Sequence, residues 1–324
     1  MKVKFCLIIT LIIYLFLSCH KDKTSNNCNC NHPADFCTDN YFPNIDLSQP
    51  HIDYMFYYDT NYVKWTYFNP NNVNEIIYCK DVGFRSTQII KFNLSNKQKQ
   101  ILHTGFLLSP PKWGRKHWIL LTHGAQIWKI KDNGDSLTQL TFTYANYNPE
   151  WNYAGDKFIT EFTGYSSNTY SRIYDLNGQV TDSLPYFLYG EVWQNDSLMI
   201  YPGIQTYTIG VTNILNKSSY TLYNDGIIKD DMILSVYWLP DFNEIVFTSP
   251  KGIYKYNIQT NKITCLKLKC KNDMYLNPCI FYPGNKIMFY KEHQKYMGNM
   301  EVLISSKIVL LNLDGSGEQE IKLQ

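Results

Sequence analysis

The sequence predicts an all-β chain folded as a six-bladed β-propeller, with four antiparallel strands in each blade. Three observations lead there. Short apolar runs recur at Glu75-Ile76-Ile77-Tyr78, Trp118-Ile119-Leu120-Leu121, Lys157-Phe158-Ile159-Thr160, Leu198-Met199-Ile200-Tyr201, Glu244-Ile245-Val246-Phe247 and Lys286-Ile287-Met288-Phe289, their central isoleucines spaced by 40–45 residues. Each run sits inside a unit of the same internal order. The chain is also rich in strand formers, with 27 Tyr and 17 Phe, residues that suit a pleated, half-buried surface. A fixed period of this length is the mark of a repeat architecture, and closure into a ring leaves only short, protected sheet edges.

Each unit opens with an apolar strand ending in an aromatic residue: Phe68, Trp113, Trp151, Trp193, Trp238 and Phe281. A tight polar turn follows, such as Asn152-Tyr153-Ala154-Gly155-Asp156 or Pro240-Asp241-Phe242-Asn243, in which Pro pre-sets φ and Gly or Asn accepts a positive φ. The isoleucine run is the second strand. The third alternates apolar and polar residues, as in Ile253-Tyr254-Lys255-Tyr256-Asn257-Ile258, the pattern of a half-buried strand. It leads to turns such as Asp132-Asn133-Gly134-Asp135 and Asn177-Gly178. The fourth is polar, as in Lys97-Gln98-Lys99-Gln100 and Thr138-Gln139-Leu140-Thr141; such side chains keep an outer edge from pairing with other chains. Beyond the N-terminal segment no amphipathic helix of ten residues or more is legible.

The unit Gln126-Ile127-Trp128 … Leu137-Thr138-Gln139-Leu140-Thr141 … Asn148-Pro149-Glu150-Trp151 … Gly155-Asp156-Lys157-Phe158-Ile159 resembles the TolB-type β-propeller repeat, as does Leu311-Asn312-Leu313-Asp314-Gly315-Ser316-Gly317 near the C-terminus. Residues 62–324 carry the resemblance, and units two and four lack its Pro-Asp-Gly turn. It implies six blades that bind other proteins or ligands at one end of a central funnel. Unit six runs complete to Leu323, which leaves open whether a strand borrowed from the N-terminus closes the ring; Ile52–Tyr58 is strand-like and could add to a blade.

The N-terminus reads as an address. Lys2 and Lys4 precede the apolar run Cys6–Leu17, which is too short to span a bilayer. Leu15-Phe16-Leu17-Ser18-Cys19 resembles a bacterial lipobox. Residues 1–18 are therefore expected to be a lipoprotein signal peptide, Cys19 the lipidated mature N-terminus, 19–60 a tether and 61–324 the propeller. Several acyl chains bind a membrane far more tightly than one. The destination implied is the outer membrane of a bacterial envelope. The formal charge of +2 is carried by Lys2 and Lys4, so the mature chain is close to neutral, which argues against nucleic acid and against a polybasic membrane patch.

An envelope location permits disulfides. Cys28, Cys30, His32 and Cys37 cluster in the tether, but one residue between Cys28 and Cys30 is too few for the usual zinc pairing, and a local disulfide staple is the simpler reading. Cys265, Cys270 and Cys279 are candidates for a further bridge, and Cys79 reads as a buried strand cysteine.

No cofactor is implied. Gly164-Tyr165-Ser166-Ser167-Asn168 lacks the second glycine of a nucleophile elbow. His117 and His123 flank a strand and read as surface or core residues. Asp132-Asn133-Gly134-Asp135 lacks the distal Glu of a calcium loop. The Trp series reads as packing between blades. The longest interruption between strands, Glu292 to Ser306, makes His293, Tyr296 and Met297 the candidate contact residues, with Met300 beside them. The expectation is a non-catalytic module binding another envelope protein or a glycan. The rival is a glycan-active enzyme with carboxylates converging in the funnel from different blades.

Overall fold

The computed structural model describes residues 62–323, apart from 84, 165–168, 186–187, 189–191, 203–207, 224–231, 240–242, 270–272, 282–284 and 298–299. The signal, Cys19, the tether with Cys28, Cys30, His32 and Cys37, and Ile52–Tyr58 lie outside the described residues. Among the described residues, twenty-four strands form six antiparallel sheets of four, each built from consecutive strands. Blade 1 holds β1 (Val63–Asn69), β2 (Asn72–Gly83), β3 (Ser86–Asn93) and β4 (Lys99–Gly105). Blade 2 holds β5 (Lys112–Trp113), β6 (Trp118–His123), β7 (Gln126–Lys131) and β8 (Thr138–Gln139). Blade 3 holds β9 (Ala145–Trp151), β10 (Lys157–Thr163), β11 (Thr169–Asp175) and β12 (Val180–Leu184). Blade 4 holds β13 (Val192–Trp193), β14 (Leu198–Pro202), β15 (Ile209–Asn213) and β16 (Ser218–Tyr223). Blade 5 holds β17 (Ser235–Trp238), β18 (Glu244–Ser249), β19 (Gly252–Asn257) and β20 (Lys262–Leu268). Blade 6 holds β21 (Asp273–Phe281), β22 (Lys286–Met297), β23 (Met300–Asn312) and β24 (Gln319–Glu320). Among the described residues there is no helix.

The first strand of every blade touches the first strands of both neighbours, β21 meeting β1. The six first strands therefore surround the axis, and the ring is closed. Connectivity sets the two faces. Turns joining second to third strands, and connections from a fourth strand to the next first strand, gather on one face, called upper here. The first-to-second and third-to-fourth turns gather on the lower.

Six apolar clusters hold the ring, one in each seam between blades. Ile77, Cys79 and Ile89 of blade 1 meet Trp113, Ile119 and Leu121 of blade 2, and Ile159 and Ile173 of blade 3 meet Trp193 and Met199 of blade 4. All six periodic isoleucines, 76, 119, 159, 200, 245 and 287, are fully buried. Trp113, Trp151, Trp193 and Trp238 fill seams, as expected for packing between blades.

Register refines the repeat. Ile76, Ile119 and Ile245 stand opposite the aromatic of their blade, but Trp151 faces Phe158 and Trp193 faces Met199. In blade 6, Ile280, not Phe281, faces Ile287. A second strand is covered on both sides, so its apolar run has no alternation from which the phase could be read, and one residue of slip exchanges the two faces.

The last seam joins the two ends of the described chain without exchanging a strand, since blades 1 and 6 are each complete in themselves. Phe68, Ile76, Tyr78 and Phe92 pack against Cys279, Met288, Ile308 and Leu310. The Tyr62 hydroxyl donates to Glu292 at 2.8 Å and the Val63 amide to Ser306 Oγ at 2.7 Å, and Ser306 donates back to the Val63 carbonyl.

The third-to-fourth turns make a recurring joint on the lower face. Lys91 of blade 1 donates to the Asp132 carbonyl in the turn of blade 2, and Lys129 of blade 2 does the same to Leu176 in blade 3, both at 2.7 Å. Gly178 and Gly315 in these turns have φ of +80° and +89°, and a Cβ on either would fall within 2.2 Å of a carbonyl of the preceding blade, Leu140 or Leu266. Only glycine suits both the conformation and the space.

Candidate functional site: the channel layer and the upper rim

Side chains alternate across a strand, so the residue before each blade's seam-filling side chain turns to the blade's other face, and on these innermost strands it lies beside the channel. The positions with described side chains are Tyr67, Lys112, Glu150, Tyr237 and Cys279, matched across blades by their partners Ile77, Leu120, Ile159, Val246 and Met288. In blades 1, 3 and 6 a one-residue bulge helps aim them: the register breaks beside Trp65, Asn148 and Asn277, each with φ near +50°. Bulges re-aim side chains in this way.

These groups engage one another across the channel. Lys112 Nζ lies 2.6 Å from Glu150 Oε2 and 5.3 Å from the Tyr67 ring centroid. Tyr67 also faces the phenol of Tyr237 on blade 5, two blades round the ring. Burial raises the Glu150 carboxyl above its ordinary value, with the Lys112 ammonium pulling it back down. Burial also raises the Tyr67 phenol well above its usual range, and the Glu150 charge adds to the effect. The Cys279 thiol is pushed up to about 12 by burial, against the pull of Lys112, so it stays protonated and unreactive at neutral pH. Lys112 and Glu150 are paired, the Tyr67 phenol and the Cys279 thiol stay protonated, and these groups work as a polar tie between blades.

The upper rim of blades 1 to 3 is built differently. Its connections leave large apolar side chains in solvent: Phe106 at 39%, Phe142 at 74% and Tyr144 at 44% exposure. They form a row. The Gly124 amide donates to the Phe106 carbonyl at 3.4 Å, Gln126 donates to the Tyr144 carbonyl, and the Tyr144 ring meets Phe162 edge-on at 5.2 Å. Arg85 sits 5.7 Å from the Phe106 ring at one end, and Arg172 stacks 3.6 Å from Phe162 at the other. The whole sequence holds three arginines, and the third, Arg115, caps Tyr153 on the lower face.

Of the candidates read from sequence, His293 lies on β22 directly opposite Asp273 and Ser305. Its Nδ1 is 2.9 Å from Asp273, which with Lys291, Glu318 and Lys267 forms an alternating ionic chain. The segment Glu292 to Ser306 continues the β22–β23 hairpin, pairing Tyr296 with Glu301 and Met297 with Met300. The side chains of Tyr296, Met297 and Met300 are outside the described residues. His117 is exposed and paired with Asp132 at 2.7 Å, and Asp132-Asn133-Gly134-Asp135 is a hairpin turn. Cys79 is a free buried thiol, as expected; Cys279 is free, and Cys265 is disulfide-bonded to a partner outside the described residues. Among the described residues no group of three or more metal-ligating side chains comes together. Sequence reading missed the channel layer, whose signal was one step away, the residue preceding each seam-filling position. It also missed the rim, whose members follow no repeat.

The molecule is thus a six-bladed β-propeller with a self-paired axis and an aromatic rim. No known family profile matches the chain, and no curated protein matches it in sequence. Solved structures do share the fold: a protein assigned as TolB from Agrobacterium tumefaciens superposes with a TM-score of 0.60 at 14% identity, over 74% of this chain and 89% of that one. An acylaminoacyl peptidase from Pyrococcus horikoshii gives 0.54 at 11% identity, over 81% of this chain but only 52% of its own. An oligogalacturonate lyase from Vibrio parahaemolyticus gives 0.52 at 14%, over 80% of this chain and 77% of that one. At such identities the likeness is one of fold.

Proposed function

We propose that the chain is a lipid-anchored protein of the bacterial envelope whose propeller acts as a non-catalytic binding module, docking another envelope protein on the upper face of blades 1 to 3. The observation that carries this reading is the exposure of Phe106, Phe142 and Tyr144 on two successive upper connections, with Arg85 over the Phe106 ring and Arg172 over the Phe162 ring that Tyr144 meets. Aromatic residues and Arg are the side chains that dominate protein-binding hot spots, and these share the upper face of neighbouring blades. The structural likeness to a TolB supports a propeller of this kind. The β22–β23 hairpin, with His293, Tyr296 and Met297, ends on the same face and is a second contact candidate.

A glycan-active enzyme is less well supported, because the channel carboxylate Glu150 is already occupied by Lys112. The anchor rests on Cys19 and the lipobox-like segment before it. Replacing Cys19 with Ser is expected to move the protein from the membrane to the soluble fraction and to abolish fatty-acid labelling; unchanged partitioning would overturn the anchor. For docking, the triple change Phe106→Ser, Phe142→Ser and Tyr144→Ser is expected to abolish the crosslinked species that the wild type forms in whole envelopes. An identical set of species would overturn it.

A further inference from the structure

Beneath the rim two histidines meet end to end. His103 Nε2, on β4, lies 2.9 Å from His123 Nδ1, at the end of β6. The ring centroids are 5.2 Å apart, longer than the nitrogen separation by about one centroid-to-nitrogen radius from each ring, so the nitrogens point straight at each other. That is the geometry of one shared proton, not of two lone pairs converging on a third atom. The pair is built in. A Cβ on Gly105 would fall 2.7 Å from His123 Nδ1 and 2.8 Å from His103 Nε2. The Trp128 ring packs 5.9 Å from His123, and Leu107 bridges to His123 in the connection that carries Phe106.

We infer that the His103–His123 pair is a proton-controlled latch on the seam between blades 1 and 2, which holds the connection carrying Phe106 in place while the pair shares a hydrogen bond and releases it on acidification. This rests on the docking reading above. An N–H···N bond needs one acceptor nitrogen. Two neutral rings supply it, and so does one neutral ring beside one cation; two cations present donor to donor and repel. Burial, and then the neighbouring His123, hold the His103 imidazole below its ordinary 6.5.

The surroundings offer little compensation. β6 and β7 present Ile119, Leu121, Trp128 and Ile130 to this seam. On the blade 1 side, Asp81 is committed to Lys64 at 2.9 Å, Lys91 to the Asp132 carbonyl, and Arg85 lies over Phe106. The unfolded chain takes up a proton at His103 near pH 6.5 and the folded chain resists it, so the latch contributes fully above that pH and weakens as pH falls below it.

Hydrogen exchange of residues 99–107 and 118–128 in the full chain tests this, compared at about pH 7.5 and about pH 5.5 after correction for intrinsic rates. The wild type is expected to exchange several-fold faster in these segments at the lower pH, with blades 4 and 5 unchanged. His103→Gln keeps a neutral partner for His123 and is expected to lose the pH response; His123→Gln serves if the first variant folds poorly. No acid response in the wild type, or the same response in both variants, overturns the latch. A photo-crosslinker at Phe142 read at both pH values separates the two ideas. Acid-sensitive exchange with no crosslink at either pH overturns docking while the latch stands; crosslinking that falls with the loss of protection supports both.

Discussion

The axis and the upper rim use the same kinds of residue to opposite ends. In the channel, Lys112, Glu150, Tyr67 and Tyr237 are spent on one another. On the rim, Phe106, Phe142 and Tyr144 are left in water. A polar group that closes on its neighbours contributes to one folded ring, whereas an apolar group withheld from every seam is available for a partner. The contrast separates what the repeat needs from what the molecule does.

The largest expected effect comes from breaking the channel layer. Lys112→Met leaves the Glu150 carboxylate buried without its cation, and breaking one side of a buried pair costs about 3 kcal/mol. Urea denaturation should show that loss, and the double change Lys112→Met with Glu150→Leu should recover most of it; a double variant as unstable as the single would contradict the pairing. Next comes the lower-face joint. Gly315→Ala forces a side chain into positive φ against the Leu266 carbonyl, costing about 1–3 kcal/mol, and the same measurement reads it.

A smaller effect is pH-linked. Burial lifts the Glu161 carboxyl to about 7, against the hydrogen bond from Asn148 at 2.5 Å. The folded chain then keeps a proton that the unfolded chain has released, so stability falls as pH rises from the ordinary carboxylate range through about 7, and Glu161→Gln should remove that fall. Its sign is opposite to that of the His103 latch, so a pH series of global stability mixes the two, and local exchange resolves them. Last, serine at Phe106, Phe142 and Tyr144 should change stability by no more than about 0.5 kcal/mol per site. A larger loss would mean that the rim is part of the core and would erase the contrast.

The repeat was legible because it is written in local signals. A buried isoleucine run, an aromatic before a turn and a polar outer strand recur at each blade, and each is imposed by the same seam. What escaped was set by relations between blades. Lys112 and Glu150 are distant in sequence and meet only when blades 2 and 3 pack side by side. Phe142 sits in a connection that matches no other unit. His103 and His123 lie on different blades, and nothing around either in sequence announces the other. The phase of Phe281 against Ile280 escaped for a different reason, the absence of alternation in a strand covered on both sides.

Site-specific photo-crosslinking in intact envelopes tests the central claim most directly, with the probe at Phe142 on the upper face or at Leu215 on the lower, two highly exposed apolar positions at 74% and 80%. A discrete crosslinked protein from position 142 and none from 215 is the result expected of a docking rim. Equal capture from both positions, or capture from 215 alone, would contradict it.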